Sequence, residues 1–169
     1  MSKLLNSLDQ LNEQVGRMAI WLLAPMICLA FSIVVLRYGF NYGRVDMQEG
    51  VVYLHVFILT LCMGYTMRFG GHVRVDVFYS KMQEKTKARI DLIGDILFLL
   101  PTSATIVFYS TDYVATSWQL LERSQEAAGL PLIFVLKTLI PVMAGLLFWQ
   151  GLMRVAGQAC KTLRFSADN

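Results

Sequence analysis

The sequence is poor in charged residues, which make up 16% of its 169 positions. Soluble domains carry about 25% charged residues, whereas here hydrophobic residues reach 56% and the mean hydropathy is +0.51. The formal net charge is only +3, and the basic residues stand between apolar runs rather than in the clusters typical of nucleic-acid-binding domains. Composition therefore predicts a protein that resides in the lipid bilayer and has no nucleic-acid partner.

Cysteine is scarce, and its three copies stand apart at Cys28, Cys62 and Cys160. No C-x-x-C pair and no cluster of Cys and His occurs, so neither a zinc site nor a disulfide framework is predicted. The G-x-S-x-G nucleophile elbow, the Walker A loop, the HExxH zinc motif and the Rossmann glycine pattern are also missing from the sequence. We therefore expect no enzymatic activity and no cofactor.

Long apolar runs, by contrast, are abundant. Four segments reach the roughly 20 apolar residues that a membrane helix needs, at about 18–37, 50–69, 90–111 and 130–153. They are expected to be helices because a backbone in lipid has to satisfy its own hydrogen bonds. The pattern predicts an all-α fold, an integral membrane four-helix bundle that forms a single domain over residues 1–169.

The residues before the first span have a pattern of their own. Leu4, Leu8, Leu11 and Val15 fall on one helical face, which predicts a short amphipathic helix lying on the membrane surface. A frayed polar terminus is the alternative. The first apolar run is longer than the core of a signal peptide, which has about 7–15 residues, so we expect it to remain as a membrane span.

Lys and Arg are distributed unequally between the two sides of the predicted bundle. Most of them lie in the N-terminal flank, in the segment 68–89 between the second and third spans, and in the tail after residue 153. The opposite side carries Arg37, Arg44 and Arg123. Since positively charged loops stay in the cytoplasm, both termini are predicted to be cytoplasmic.

In the basic segment between the second and third spans, polar and apolar residues alternate regularly. In residues 70–81, His72, Arg74 and Asp76 alternate with valines. A period of two fits a short extended segment whose apolar side faces lipid or protein. A loop at the membrane interface that packs on its own bundle is the alternative.

Charged residues inside the predicted spans include Lys137 in the fourth span and Asp91 and Asp95 in the third. Lys137 is about seven residues into the fourth span, where its side chain can snorkel to the headgroups or join a structural ion pair; a contact with another subunit is the functional alternative. Asp91 and Asp95 share one helical face, and ion pairs with nearby basic residues are expected for both. Asp95 lies one turn deeper and is the better candidate for a contact with another subunit.

The two histidines do not predict a single haem site within the chain, and each could pair only across chains. His55 and His72 are about 25 Å apart along a helix, at opposite ends of the second predicted span, so one haem cannot take both. Each is predicted to be an interfacial histidine. The spans hold no polar cluster at mid-depth, with Thr60 and Gln150 as the only mild exceptions. A transporter core needs a polar site there and commonly has an internal repeat.

Several short motifs follow one another along the chain. The first span closes with Arg37-Tyr38-Gly39-Phe40-Asn41, and the acidic element Asp46 to Glu49 precedes the second span. Gly70 to Asp76 has the form Gly-x-His-(apolar)-Arg-(apolar)-Asp, and Ser124, Gly129-Leu130-Pro131 and Ile140-Pro141 mark the fourth span. In this order the motifs resemble those of the small membrane subunit of tripartite ATP-independent periplasmic (TRAP) transporters, the DctQ-like family. The stretch Gly70 to Asp76 is the most specific of them.

The resemblance implies structural or subunit-interface roles for the motif residues Arg37, Asn41, Glu49, His72, Arg74 and Asp76. It also implies two partners. A periplasmic binding protein captures a small solute, commonly an organic acid, and a large membrane subunit carries the substrate and ion sites and moves by an elevator mechanism. The small subunit packs against the large one in the bacterial inner membrane, and an ion gradient supplies the energy.

Two other functional classes fit four apolar spans. A redox membrane anchor that binds haem or quinone is the first, and a self-contained homo-oligomeric channel or small transporter is the second. A haem absorbance spectrum and uptake by the chain alone in liposomes separate these alternatives from the small-subunit prediction.

Overall fold

The computed structural model describes residues 14, 16–68, 79 and 81–167, with the side chains at 64, 68 and 159–167 left aside. Within these residues the regular structure is entirely helical. The helices are α1 (Leu23–Gly39), α2 (Val45–Arg68), α3 (Glu84–Gly94), a five-residue π-helical segment (Asp95–Leu99), α4 (Leu100–Gln119) and α5 (Ile133–Ala167).

Within the part of the chain that the structure describes, four helical stretches are long and apolar enough to cross a membrane, namely Gly16–Phe40, Val45–Met67, Glu84–Gln119 and Ile133–Gln158. Their number and order confirm the predicted all-α, four-span architecture. The predicted amphipathic helix at Leu4 to Val15, the motif residues His72, Arg74 and Asp76, and the cytoplasmic placement of the termini lie outside what the described residues test.

The observed boundaries differ from the predicted spans in two places. α2 begins at Val45 rather than near residue 50, so His55 lies close to the middle of its helix and not at its end. The third span, built from α3, the π-helical segment and α4, has 36 residues and is about 54 Å long. Because the hydrocarbon core is about 30 Å thick, this helix extends well beyond it.

The helices pack as a row, with α1 against α2, α2 against α5, and α5 against the third span. Glycines allow two of the close approaches. A Cβ at Gly16 would lie 2.5 Å from Tyr65 of α2, and one at Gly151 of α5 would lie 2.8 Å from Leu99 of the third span. Only 6% to 18% of the residues in each span's most apolar window are buried, so the row leaves most of its helical surface to lipid or to a partner.

Because consecutive spans run in opposite directions, the end of one span lies beside the start of the next. The end of α1, the start of α2, the end of α4 and the start of α5 meet at one end of the row, which we call the Glu49 end. The end of α2 and the start of α3 meet at the other, the Arg154 end. The segment 120–132, between α4 and α5, lies at the Glu49 end.

Candidate functional site

The Glu49 carboxylate joins α2 to the segment between α4 and α5. Its Oε1 accepts a hydrogen bond from the Ser124 hydroxyl, and its Oε2 accepts one from the backbone N–H of Leu130 at 2.5 Å. Gly129 makes this contact possible, because a Cβ there would lie 2.3 Å from Ser124 Oγ and 2.7 Å from Glu49 Oε1. One carboxylate therefore fixes both arms of the segment 120–132.

A second contact at the same end involves the lysine inside the fourth span. Lys137 Nζ lies 2.5 Å from Glu122 Oε2 and 4.1 Å from the centre of the Tyr113 ring, a distance typical of a cation–π contact. Ser117 donates a 2.7 Å hydrogen bond to the same Glu122 oxygen. The structural ion pair expected for Lys137 is present, and its partner comes from the segment 120–132.

The charge of Glu122 depends on these donors. The hydrogen bond from Lys137, and then that from Ser117, hold the pKa of the Glu122 carboxyl below its ordinary value because both favour the ionised form. The contact is therefore complete above the ordinary carboxyl pKa and is lost as the pH falls through the lowered one.

Aromatic contacts fix the end of α4 against the start of α5. The Trp118 indole N–H donates a 2.8 Å hydrogen bond to Thr138 Oγ1, and its ring meets Phe134 edge-on at 4.7 Å between centroids. Directly after α4, Leu121 has φ of 44°, a left-handed conformation that is unfavourable for a bulky residue. Together with the Glu49 and Lys137 contacts, the Trp118 pair makes the segment 120–132 a fixed surface feature.

The Arg154 end holds a separate ion pair. Arg154 Nε of α5 lies 3.1 Å from Asp95 Oδ2, and Asp95 is only 7% exposed. Among the described residues no donor is aligned for a hydrogen bond to this oxygen, so the contact is electrostatic. Asp95 therefore has a charged partner within its own chain.

The local helix geometry accompanies this pair. Asp95 opens the π-helical segment, in which the turn is wider than in an α-helix. Pro101 follows at the start of α4, and proline removes a backbone donor from the helical ladder. On the same side, Tyr79 donates a 2.9 Å hydrogen bond to Asp91.

The remaining predicted motif residues lie apart from these clusters. Arg37 is exposed in the last turn of α1, where a positive charge complements the helix dipole. Asn41 has φ of 51°, and the chain turns there so that Tyr42 N–H reaches Leu36 O at 3.0 Å. Asparagine tolerates this left-handed conformation better than most residues, which gives Asn41 a structural role in ending α1.

Sequence reasoning missed two of the partners. Nothing in the local sequence identifies Glu122 as the partner of Lys137 or Arg154 as the partner of Asp95. The available signal was charge balance, because a lysine or aspartate inside a span requires an opposite charge within reach. Among the described residues no group of three or more His, Cys, Asp or Glu side chains is placed to hold a metal ion.

Comparison with known proteins decides the family. Residues 26–161 match the family described as tripartite ATP-independent periplasmic transporters, DctQ component. The chain belongs to this family. It is therefore a multi-pass membrane protein of a transporter-subunit family rather than of an enzyme family.

A relative from Haemophilus influenzae supports the same family. The chain is 32% identical over 90 residues to a protein of that organism named as a TRAP transporter small permease protein. This match covers 53% of the present chain and 56% of the relative, so the chain spans about half the length of the curated relative that it matches. No solved structure matches the chain.

Proposed function

We propose that this DctQ-family subunit supports a large membrane subunit in the ion-gradient-driven uptake of a small solute, an organic acid, delivered by a periplasmic binding protein. Family membership supports the assignment. The observation that carries the supporting role is the position of the charged clusters. The contacts of Glu49 and Lys137 lie at one end of the row of helices, and the ion pair of Asp95 with Arg154 lies at the other. Each of these charged groups has a partner within the chain.

The polar side chains within the spans support the same role. Hydroxyl groups donate to carbonyl oxygens of their own helices, as Ser103 does to Leu99 at 2.6 Å, Thr66 to Cys62 at 2.7 Å and Ser32 to Cys28 at 2.8 Å. Such local hydrogen bonds satisfy the hydroxyls and leave them poor ligands for a polar solute.

The groove between α4 and α5 is also unsuited to an organic acid. Its volume is about 420 Å³, and its lining consists of Ala104, Val107, Phe108, Thr111, Gly145 and Phe148. A binding pocket for an anion places charged or polar groups where they fix the ligand. This lining offers hydrocarbon and one hydroxyl, and that hydroxyl already donates to Phe108 O at 2.7 Å.

The proposed setting is the bacterial inner membrane, with both termini in the cytoplasm. Arg154 lies at the same end of the row as α3, which begins in the basic stretch around Lys85 and Lys87. Since basic residues collect on the cytoplasmic side, we place the Arg154 end there and the Glu49 end in the periplasm. The fixed segment 120–132 then faces the compartment of the binding protein and is the proposed contact region for it.

Co-purification from native membranes tests the assignment. An affinity-tagged copy of this chain is expected to retain a large polytopic membrane protein in mild detergent, and the complex is expected to bind a solute-loaded periplasmic protein. A matched preparation from cells that carry the untagged chain controls for non-specific retention. Recovery of the tagged chain without any membrane partner, from membranes in which solute uptake is active, would contradict the proposal.

A further inference from the structure

His55 occupies an unusual position for a titratable side chain. It lies in α2 ten residues after Val45 and twelve before Met67, the ends of the candidate membrane span. At 1.5 Å per residue the ends are about 15 Å and 18 Å away along the axis. The side chain is exposed, and among the described residues it takes part in no hydrogen bond or ion pair.

Lipid is a poor neighbour for this imidazole. A neutral imidazole carries one N–H donor and one nitrogen acceptor, and hydrocarbon satisfies neither, at a cost in free energy. Lysine and arginine escape this cost by snorkelling along a long side chain, whereas histidine is too short to cross 15 Å. Polar residues within spans accordingly face protein or a water-filled cavity.

The neighbours of His55 define a continuous surface. Gln48, Val52, His55 and Leu59 are all exposed, and their spacing of four, three and four residues places them on one side of α2. We call this set the His55 stripe. Tyr53, Thr60 and Met67 are buried on a different side of the helix, and Gly50 faces Leu29 of α1. The stripe therefore points away from the helices that α2 packs against.

α5 offers the contrast within the same chain. Its exposed residues in the span include Val142, Trp149 and Leu152, which are 39%, 38% and 37% exposed. These side chains are apolar apart from the indole N–H, and such a surface needs no protein partner in lipid. The two surfaces differ because His55 places both a donor and an acceptor near the middle of its span, whereas the α5 surface carries only the single donor of Trp149.

We infer that the His55 stripe is where a transmembrane helix of the large subunit packs, with a polar side chain of that helix hydrogen-bonded to the His55 imidazole. The inference rests on the proposed function, because it takes the large subunit as the partner. Val52 and Leu59 provide the apolar contacts on either side of the imidazole, and Gln48 extends the polar contact toward the Glu49 end. Interhelical hydrogen bonds flanked by close apolar packing are a common mode of helix association in membranes.

The first test measures the affinity of this chain for the large subunit in lipid nanodiscs. His55→Leu removes both hydrogen-bonding atoms and keeps an apolar side chain, and is expected to weaken association about three- to twentyfold, the range for one interhelical hydrogen bond. His55→Gln keeps a donor and an acceptor and is expected to stay closer to wild type. Val142→Leu on α5 is the matched control and should leave the affinity unchanged.

A second measurement keeps the test decisive if a variant folds poorly. A photo-crosslinking amino acid at Val52 or Leu59 is expected to label the large subunit, whereas the same probe at Val142 is expected to label lipid. If the wild-type chain binds the large subunit, two results overturn the inference and leave the proposed function in place. One is an unchanged affinity of His55→Leu, and the other is lipid labelling at Val52 and Leu59. Crosslinks between two copies of this chain overturn it in favour of self-association. Failure of the wild-type chain itself to bind the large subunit instead overturns the proposed function.

Discussion

Replacing Glu49 with glutamine removes the negative charge that holds the segment 120–132 against α2. The carboxylate accepts hydrogen bonds from Leu130 N–H and the Ser124 hydroxyl, and both contacts span more than 70 positions of sequence. Glutamine keeps one acceptor oxygen, so the fold should survive while the contact weakens.

The magnitude follows from the chemistry of the acceptor. A hydrogen bond to a charged group contributes about 1.5–3 kcal/mol, and the Leu130 amide loses most of this when its acceptor becomes neutral. Since 1.4 kcal/mol corresponds to about a tenfold change in an equilibrium constant, opening of the segment should become about ten- to hundredfold more frequent. Glu49→Ala, which removes both acceptors, should reach the upper end of that range.

Hydrogen–deuterium exchange in detergent micelles reads this change at the amide itself. Exchange at Leu130 and the neighbouring Gly129 should accelerate in Glu49→Gln, while amides in the middle of α5 keep their rates. Asp46→Asn is the matched control, because Asp46 lies in the first turn of the same helix but pairs with Arg44. Equal exchange at Leu130 in the wild type and in Glu49→Gln would refute the role of Glu49 as the group that fixes this segment.

Three further predictions concern the ion pairs. Lys137→Met and Glu122→Gln should each lower the thermal stability of the purified protein, and the double variant should regain part of the loss, because only the single variants leave a charge without its partner; additive effects of the two changes would refute the pairing. Acidification should change Trp118 fluorescence with a midpoint below the ordinary glutamate pKa, because the lowered pKa of Glu122 keeps its contact intact until that pH is passed, and the midpoint should disappear in Glu122→Gln. Arg154→Leu should destabilise the protein by about 3–5 kcal/mol, the cost of leaving a buried charge without its partner, and adding Asp95→Leu should restore much of it; equilibrium unfolding in mixed micelles measures both.

Sequence reasoning was most successful for features to which each residue contributes separately, such as the apolar character of a span. An apolar run of about 20 residues predicts a membrane helix because every residue contributes to the transfer free energy independently of its neighbours in space. The spans near 18–37 and 130–153 therefore fall close to the helices Gly16–Phe40 and Ile133–Gln158. The turn at Asn41 is also a local feature, since asparagine tolerates the left-handed conformation after a helix without any distant contact.

The remaining features depend on contacts between distant residues. α2 begins five residues before the predicted span because the acids of its first turns have partners, Arg44 for Asp46 and Leu130 for Glu49. Only the path of the segment 120–132 brings Glu122 to Lys137. Because α2 starts at Val45, His55 lies in the middle of a span and not at the predicted end. It is therefore not the interfacial histidine that the sequence predicts.

Reconstitution into liposomes tests the supporting role most directly. Purified wild-type chain alone, the same chain with the large subunit and the binding protein, and empty liposomes are compared for uptake of an organic acid under an imposed sodium gradient. We expect uptake only with all three proteins, and the chain alone to match empty liposomes. Gradient-driven uptake by this chain alone would contradict a supporting role, because the Glu49, Lys137 and Asp95 contacts lie at the two ends of the row and have partners within the chain.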